Sequence, residues 1–261
     1  MKKYIGIFDS GVGGLGIFKE IKRFLPSENI LYLADSKNCP YGEKTVEEIK
    51  KICKKNTQFL LHNNAKIIVV ACNSASVAAL NYLRTEFPGV PIVGVVPVVK
   101  TAVKLTKNKK IGILATRATV QSEYLKGLVK EFCSGINVYY QASGELVDLI
   151  ENDINGEKRR EVLNNCLKKF IKNDVDVIAL GCTHFPFVKK EIQKIVGART
   201  EVLDSSGAVA RQVKRVLTQN EELLGSQKNP DYQFYTSGTV SELKKRIKNL
   251  IYLETDQVRS I

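Results

Sequence analysis

Lys66-Ile67-Ile68-Val69-Val70-Ala71-Cys72-Asn73-Ser74 is one of two stretches whose reading decides the fold; the other is Val175-Asp176-Val177-Ile178-Ala179-Leu180-Gly181-Cys182-Thr183-His184. Each opens as a short run that is apolar almost throughout, the pattern of a strand covered on both faces. Each then passes through a small residue to a cysteine followed by hydrogen-bonding side chains, before the chain turns toward a helical stretch. Ligands of open α/β sheets gather at the carboxyl ends of strands. Both cysteines are expected there, placed by the same local logic.

Working outward, strand-like segments at 4–8, 29–34, 66–71, 92–96, 110–115, 136–140, 175–180, 201–203 and 232–236 alternate with amphipathic stretches. The latter lie near 14–25, 45–63, 75–86, 98–107, 119–132, 144–153, 157–172, 187–196, 206–224 and 239–249. Such alternation predicts an α/β fold with largely parallel sheets. Pro91 and Pro97 bracket one short apolar run, a crossing point between domains. Together with the repeated strand–cysteine pattern, this predicts two similar α/β domains with an active site in the cleft between them.

Composition narrows the classes. The 261 residues are 44% hydrophobic and 26% charged, the balance of a soluble globular protein. No run approaches the ~20 apolar residues needed to span a bilayer. Tyr4–Phe8 reads as a strand with no signal peptide before it, so a cytoplasmic location is expected. The six cysteines (Cys39, Cys53, Cys72, Cys133, Cys166, Cys182) form no CxxC pair and read as reduced thiols. A net charge of +13 raises nucleic-acid binding. The lysines, however, are scattered over helix-like segments without interleaved aromatics, which points to solvated faces that help attract an anionic substrate.

The chemistry turns on Cys72 and Cys182. Metal ligation is poorly served, because Cys182-Thr183-His184 lacks ligand spacing and no CxxC partner exists. Redox coupling lacks a resolving cysteine near either thiol. Two merely structural cysteines would not need Asn73, Ser74, Thr183 and His184 beside them, since polar groups in a core need partners. Proton transfer fits better. Racemising an α-amino acid requires a base on one face of Cα and an acid on the other, and a thiolate–thiol pair supplies both. Asp9, at the end of the first strand, and His184, two residues from Cys182, are candidates to orient or deprotonate a thiol. His62, late in a long helix, reads as a surface or helix-end residue.

Two readings of other classes stay open on these grounds. Gly11-Val12-Gly13-Gly14-Leu15-Gly16 satisfies G-x-G-x-x-G, with Asp35 at the end of the following strand, the outline of an NAD-binding oxidoreductase. Asp9 and Ser10 stand between the strand and the first glycine, where a carboxylate repels a pyrophosphate; the same backbone N–H groups can hold a substrate carboxylate. A basic nucleic-acid-binding protein without catalysis is the other, recognisable by steep salt dependence.

Taken together, Asp9-Ser10-Gly11-Val12-Gly13-Gly14-Leu15, Pro40-Tyr41-Gly42, Ala71-Cys72-Asn73-Ser74-Ala75-Ser76, Ala115-Thr116-Arg117-Ala118-Thr119, Leu146–Glu151 and Gly181-Cys182-Thr183-His184-Phe185-Pro186 resemble the blocks of the glutamate racemase family. Their order and spacing cover essentially the whole chain. The resemblance implies a two-base mechanism without pyridoxal phosphate, other cofactor or metal, supplying D-glutamate for peptidoglycan. It makes Cys72 the base toward D-glutamate and Cys182 the base toward L-glutamate. Asp9, His184 and Glu151 match auxiliary acid–base positions; Ser10, Tyr41, Gly42, Asn73, Ser74, Thr116, Thr119 and Thr183 match substrate-holding ones. It also implies a homodimer, and a last segment that returns to the first half: domains 1–97 plus 207–261 and 98–206. Ser74 stands where a threonine is usual, and Ala142-Ser143-Gly144 replaces Ala-Cys-Pro. The N-terminal extension of members activated by a cell-wall precursor is lacking, so no such activation is expected. Racemisation of aspartate is the nearest alternative, set aside because the Asp9–Leu15 block looks like the glutamate branch.

Overall fold

The computed structural model describes residues 2–223 and 229–261, so Leu224, the last residue of one expected helix, lies outside the described residues. The chain divides into two compact units, Met1–Val95 with Ser206–Ile261, and Val96–Ser205. Both are α/β, and every strand pairing in them is parallel.

The first unit runs β1 (Tyr4–Asp9), α1 (Leu15–Phe24), β2 (Ile30–Ala34), α2 (Val46–His62), β3 (Ala65–Val70), α3 (Asn73–Glu86) and β4 (Ile92–Gly94). The second unit follows with α4 (Val99–Leu105), β5 (Lys110–Ala115), α5 (Arg117–Gln121), α6 (Glu123–Phe132), β6 (Asn137–Ala142), α7 (Glu145–Glu151), α8 (Glu157–Lys172), β7 (Val177–Gly181), α9 (Lys189–Val196) and β8 (Glu201–Leu203). The chain then returns to the first unit with α10 (Ser206–Gln219), β9 (Tyr232–Thr236), α11 (Val240–Ile251) and β10 (Val258–Ser260).

The first sheet has the order β10-β9-β2-β1-β3-β4 and the second β6-β5-β7-β8. The segment β2-β1-β3-β4 and the whole of β6-β5-β7-β8 therefore share one topology, which is the physical content of the repeated pattern. All six residues of β1 and of β3 are buried, Asp9 and Lys66 among them, in strands that are otherwise without polar side chains apart from the Tyr4 hydroxyl. Alternation sends their side chains to opposite faces. Phe8, Leu33 and Val70 pack with Ile49, Ala75 and Leu83 of α2 and α3, whereas Tyr32 and Phe234 meet Phe18 of α1. In the second sheet, Leu114, Ile178 and Leu180 face α7, α8 and α9, while Ile111, Ile113 and Val177 face α4 and α6. Each such side chain contributes about 1.5–3 kcal/mol on burial.

This arrangement creates two topological switch points. After β1 the chain leaves by α1 on one face; after β3 it leaves by α3 on the other. The same reversal separates β5 from β7. A crevice at the carboxyl ends of two such strands is where open sheets bind ligands.

Some elements differ from expectation. The single helix expected at 119–132 is two helices, because Ser122 adopts extended backbone (φ −67°, ψ 140°) and its hydroxyl accepts from the Leu125 amide, starting a new helix. The stretch from 187 begins as a 3₁₀ turn, Phe185–Val188, with Pro186 in its first turn. The edge strand β10 has only Val258 buried, too little apolar pattern to betray it. Among the described residues no helix is long and apolar enough to cross a membrane.

Candidate active site

The register sets the site in each unit. Phe8 pairs with Val70, so Ser10 and Cys72, each two residues further along, emerge past the ends of neighbouring strands. Ala115 pairs with Gly181, so Thr116 and Cys182 emerge one residue beyond theirs. Each cysteine thus faces a hydroxyl-bearing residue across a switch point. The small residue before Cys182 is required by packing: a Cβ on Gly181 would lie 2.9 Å from that of Ala115.

In the first unit, the Cys72 thiol lies 3.8 Å from Ser10 Oγ and is 5% exposed. Asp9 is fully buried, and its Oδ1 accepts from the Gly11 amide at 2.9 Å. Asn73 and Ser74 open α3 directly after Cys72 and are buried. Among the described residues neither the oxygen nor the nitrogen of the Asn73 amide has a hydrogen-bond partner. Tyr41 belongs to the same packed cluster as Cys72. Its hydroxyl donates to Asp35 Oδ2 at 2.5 Å and accepts from Asn56 Nδ2 at 3.0 Å. Burial holds the Tyr41 phenol well above its usual range, and the Asp35 carboxylate pushes the same way. Gly42, half-buried, follows it in a 3₁₀ turn, Tyr41–Glu43. That turn ends where Thr45 and Glu48 form a capping box that starts α2.

In the second unit, Cys182 Sγ lies 3.8 Å from His184 Nδ1, and His184 Nε2 lies 2.6 Å from Glu151 Oε2 at the end of α7. Burial alone would discharge the imidazole; the hydrogen bonds and charges of Cys182 and Glu151 outweigh it, so the His184 pKa stands well above the usual histidine range. Thr116 caps α5, accepting from the Thr119 amide and donating to Thr119 Oγ1 at 3.0 Å. Thr183 is buried beside Cys182. His62, the last residue of α2, is exposed, as its position suggested.

Two features escaped the sequence. Asp35, read as the acidic residue of a dinucleotide fingerprint, instead accepts from Tyr41, Asn38 and Ser237, the last at 2.8 Å. Tyr32, an unremarked strand residue, donates to the Gly11 carbonyl at 2.7 Å. The glycine run serves close packing: a Cβ on Gly14 would lie 2.9 Å from those of Ala71 and Asp9. With the Gly11 amide held by Asp9, the loop departs from a phosphate cradle.

A model of Asp/Glu/hydantoin racemases matches residues 15–213. The chain belongs to the Asp/Glu/hydantoin racemase family. Within this family, a glutamate racemase from Pseudomonas aeruginosa is 41% identical over 242 residues, covering 92% of this chain and 91% of that protein. The crystal structure of a glutamate racemase isoform from Bacillus anthracis superposes with a TM-score of 0.89 at 32% identity, covering 99% of this chain and 96% of that one. A glutamate racemase from Francisella tularensis, solved in complex with D-glutamate, gives 0.86 at 29% identity, covering 100% and 97%. The chain is accordingly a racemase, an isomerase of α/β fold.

The raised pKa of His184 has a consequence for stability. Its unfolded value is about 6.5. The stabilisation from a protonated His184 is therefore fully present below that pH and is lost as pH rises through the folded value. We expect the wild type to melt above His184→Gln at neutral pH, with the gap closing as the medium becomes alkaline. Melting temperatures that differ by a constant amount across the range would contradict a charged His184.

Proposed function

We propose that the chain interconverts L- and D-glutamate by passing the Cα proton between Cys72 and Cys182, without cofactor or metal. The observation that carries this is the paired placement of the two thiols. Each sits at the carboxyl end of a switch-point strand, opposite a hydroxyl, with polar neighbours that a structural cysteine does not need.

As a thiolate, Cys72 takes the Cα proton of D-glutamate while the Cys182 thiol delivers one to the opposite face; with L-glutamate the roles reverse. One C–H bond breaks and one forms, and each passage leaves the two sulfurs with exchanged protonation states. His184, whose proton is favoured by its hydrogen bonds with Cys182 and Glu151, lies 3.8 Å from the Cys182 sulfur and can return a proton to it. Asp9 is the acidic group of the Cys72 side. Ser10, Asn73, Ser74, Thr116 and Thr183 hold the substrate's ammonium and carboxylates. Tyr41 and Gly42 contribute backbone groups, since the Tyr41 hydroxyl is already engaged, and Thr119 fixes Thr116. The Asn73 amide supports this assignment most directly, because a buried amide without a protein partner calls for a ligand group. The net charge of +13 favours capture of an anionic amino acid.

Glutamate is chosen over aspartate on the relatives' names and on the D-glutamate held by the F. tularensis protein. A supply of D-glutamate for peptidoglycan, a cytoplasmic location and a homodimer follow from the family resemblance. The test is loss of optical activity by L-glutamate and by L-aspartate, followed by circular dichroism without pyridoxal phosphate or metal. Faster racemisation of glutamate is expected. Faster turnover of aspartate would move the chain to the alternative substrate, and no turnover of either would overturn the reading.

A further inference from the structure

We infer that Tyr32 is a positioning residue for Cys72, acting through the Gly11 carbonyl and the turn that carries Ser10; the inference rests on the two-thiol reading above. Tyr32 is fully buried in β2, and its ring belongs to an aromatic stack with Phe18 and Phe234. Such a stack has no need of a hydroxyl, and burying one without a partner is costly. The partner here is specific: the phenol donates to the Gly11 carbonyl at 2.7 Å. The amide of the same residue donates to Asp9 Oδ1 at 2.9 Å. Gly11 is therefore held at both of its peptide groups, the Ser10–Gly11 N–H by the Asp9 carboxylate and the Gly11–Val12 carbonyl by the Tyr32 phenol. Gly14 keeps the space open, since a Cβ there would come within 3.0 Å of the Tyr32 hydroxyl.

What the grip orients is Ser10, whose carbonyl carbon forms the peptide bond to the Gly11 nitrogen. Its Oγ is the group 3.8 Å from the Cys72 sulfur. With the Gly11–Val12 peptide free to rotate, the turn that carries Ser10 loses one of its two fixings, and Ser10 Oγ loses its fixed place beside the Cys72 sulfur. The second unit holds the corresponding hydroxyl differently, with Thr116 bonded to Thr119. Loss of the Tyr32 hydroxyl should then impair only the Cys72 half of the reaction.

The test is Tyr32→Phe, which keeps the ring stack and deletes one oxygen. Turnover of glutamate is expected to fall roughly fivefold to tenfold, the scale of one hydrogen bond. Because both directions of a racemisation share one kcat/KM, the diagnostic readout is the primary isotope effect with each Cα-deuterated enantiomer. It should rise with D-glutamate, whose proton Cys72 removes, and fall with L-glutamate. Phe18→Leu, which disturbs the stack without touching Gly11, should lower the melting temperature and leave the two isotope effects in their wild-type ratio. Unchanged isotope effects in Tyr32→Phe, with or without a rate loss, would overturn the inference while leaving the two-thiol reading intact. A wild type that does not racemise glutamate would instead remove the reading on which it rests.

Discussion

Cys72→Ala and Cys182→Ala are each expected to lower glutamate racemisation by at least roughly 10²–10⁴-fold, the contribution of a positioned general acid or base. In a two-base exchange both thiols act in both directions, one removing and the other delivering the proton. Neither variant should therefore retain one direction selectively. The fold should survive, because alanine at either place removes a single sulfur atom from a buried but polar setting. Serine at the same positions keeps a hydroxyl near Ser10 or His184 but is a far weaker acid, so it should rescue little. Initial rates from each enantiomer, with a thermal melt as control, check this. A folded Cys72→Ala enzyme at wild-type rate would remove Cys72 from the chemistry.

Lys66→Ala should cost about 3–5 kcal/mol of folding free energy, a large share of the ~5–15 kcal/mol that holds an ordinary domain together. Lys66 is the second residue of β3, and its ammonium lies 2.7 Å from Glu28 Oε2 with both side chains only 2% exposed. It also donates to the Glu222 carbonyl. Removing the cation leaves Glu28 charged and desolvated, which costs far more than an exposed pair would. Replacing both partners together, as Lys66→Met with Glu28→Leu, should recover most of the loss, since paired desolvation penalties vanish with the charges. Lys66 stands at the amino end of the strand whose carboxyl end leads to Cys72. Activity per folded molecule should therefore be preserved. Urea titrations of the three variants measure the effect; a change under about 1 kcal/mol for Lys66→Ala would show that water reaches the pair.

Much of this was legible because periodicity is a local signal. The strands expected at 110–115, 201–203 and 232–236 are observed with those bounds. The two cysteine turns were visible since each apolar run leads through one small residue to its cysteine. Long-range geometry was not legible. Nothing local marks Tyr32, whose hydroxyl matters only because β2 lies beside β1 and brings it under Gly11. Asp35 invited a dinucleotide reading because the pattern of glycines and one acidic residue ignores what the carboxylate touches; in the fold it meets Tyr41 and Ser237, the latter from a distant part of the chain. Glu151 sat in an ordinary helix sequence, and only the packing of α7 sets it 2.6 Å from His184. The break at Ser122 shows the converse, a local cap overriding a continuous amphipathic pattern.

The central claim is that two different groups handle the proton. Reduced protein would be incubated with L-glutamate in D₂O, stopped after a small fraction of turnover, and the two enantiomers separated before the Cα signal of each is integrated by proton NMR. Two bases predict deuterium at Cα in the D-glutamate formed and protium retained in the remaining L-glutamate. Deuterium appearing equally in both enantiomers from the earliest times, or D-glutamate that keeps its original proton, would contradict the account.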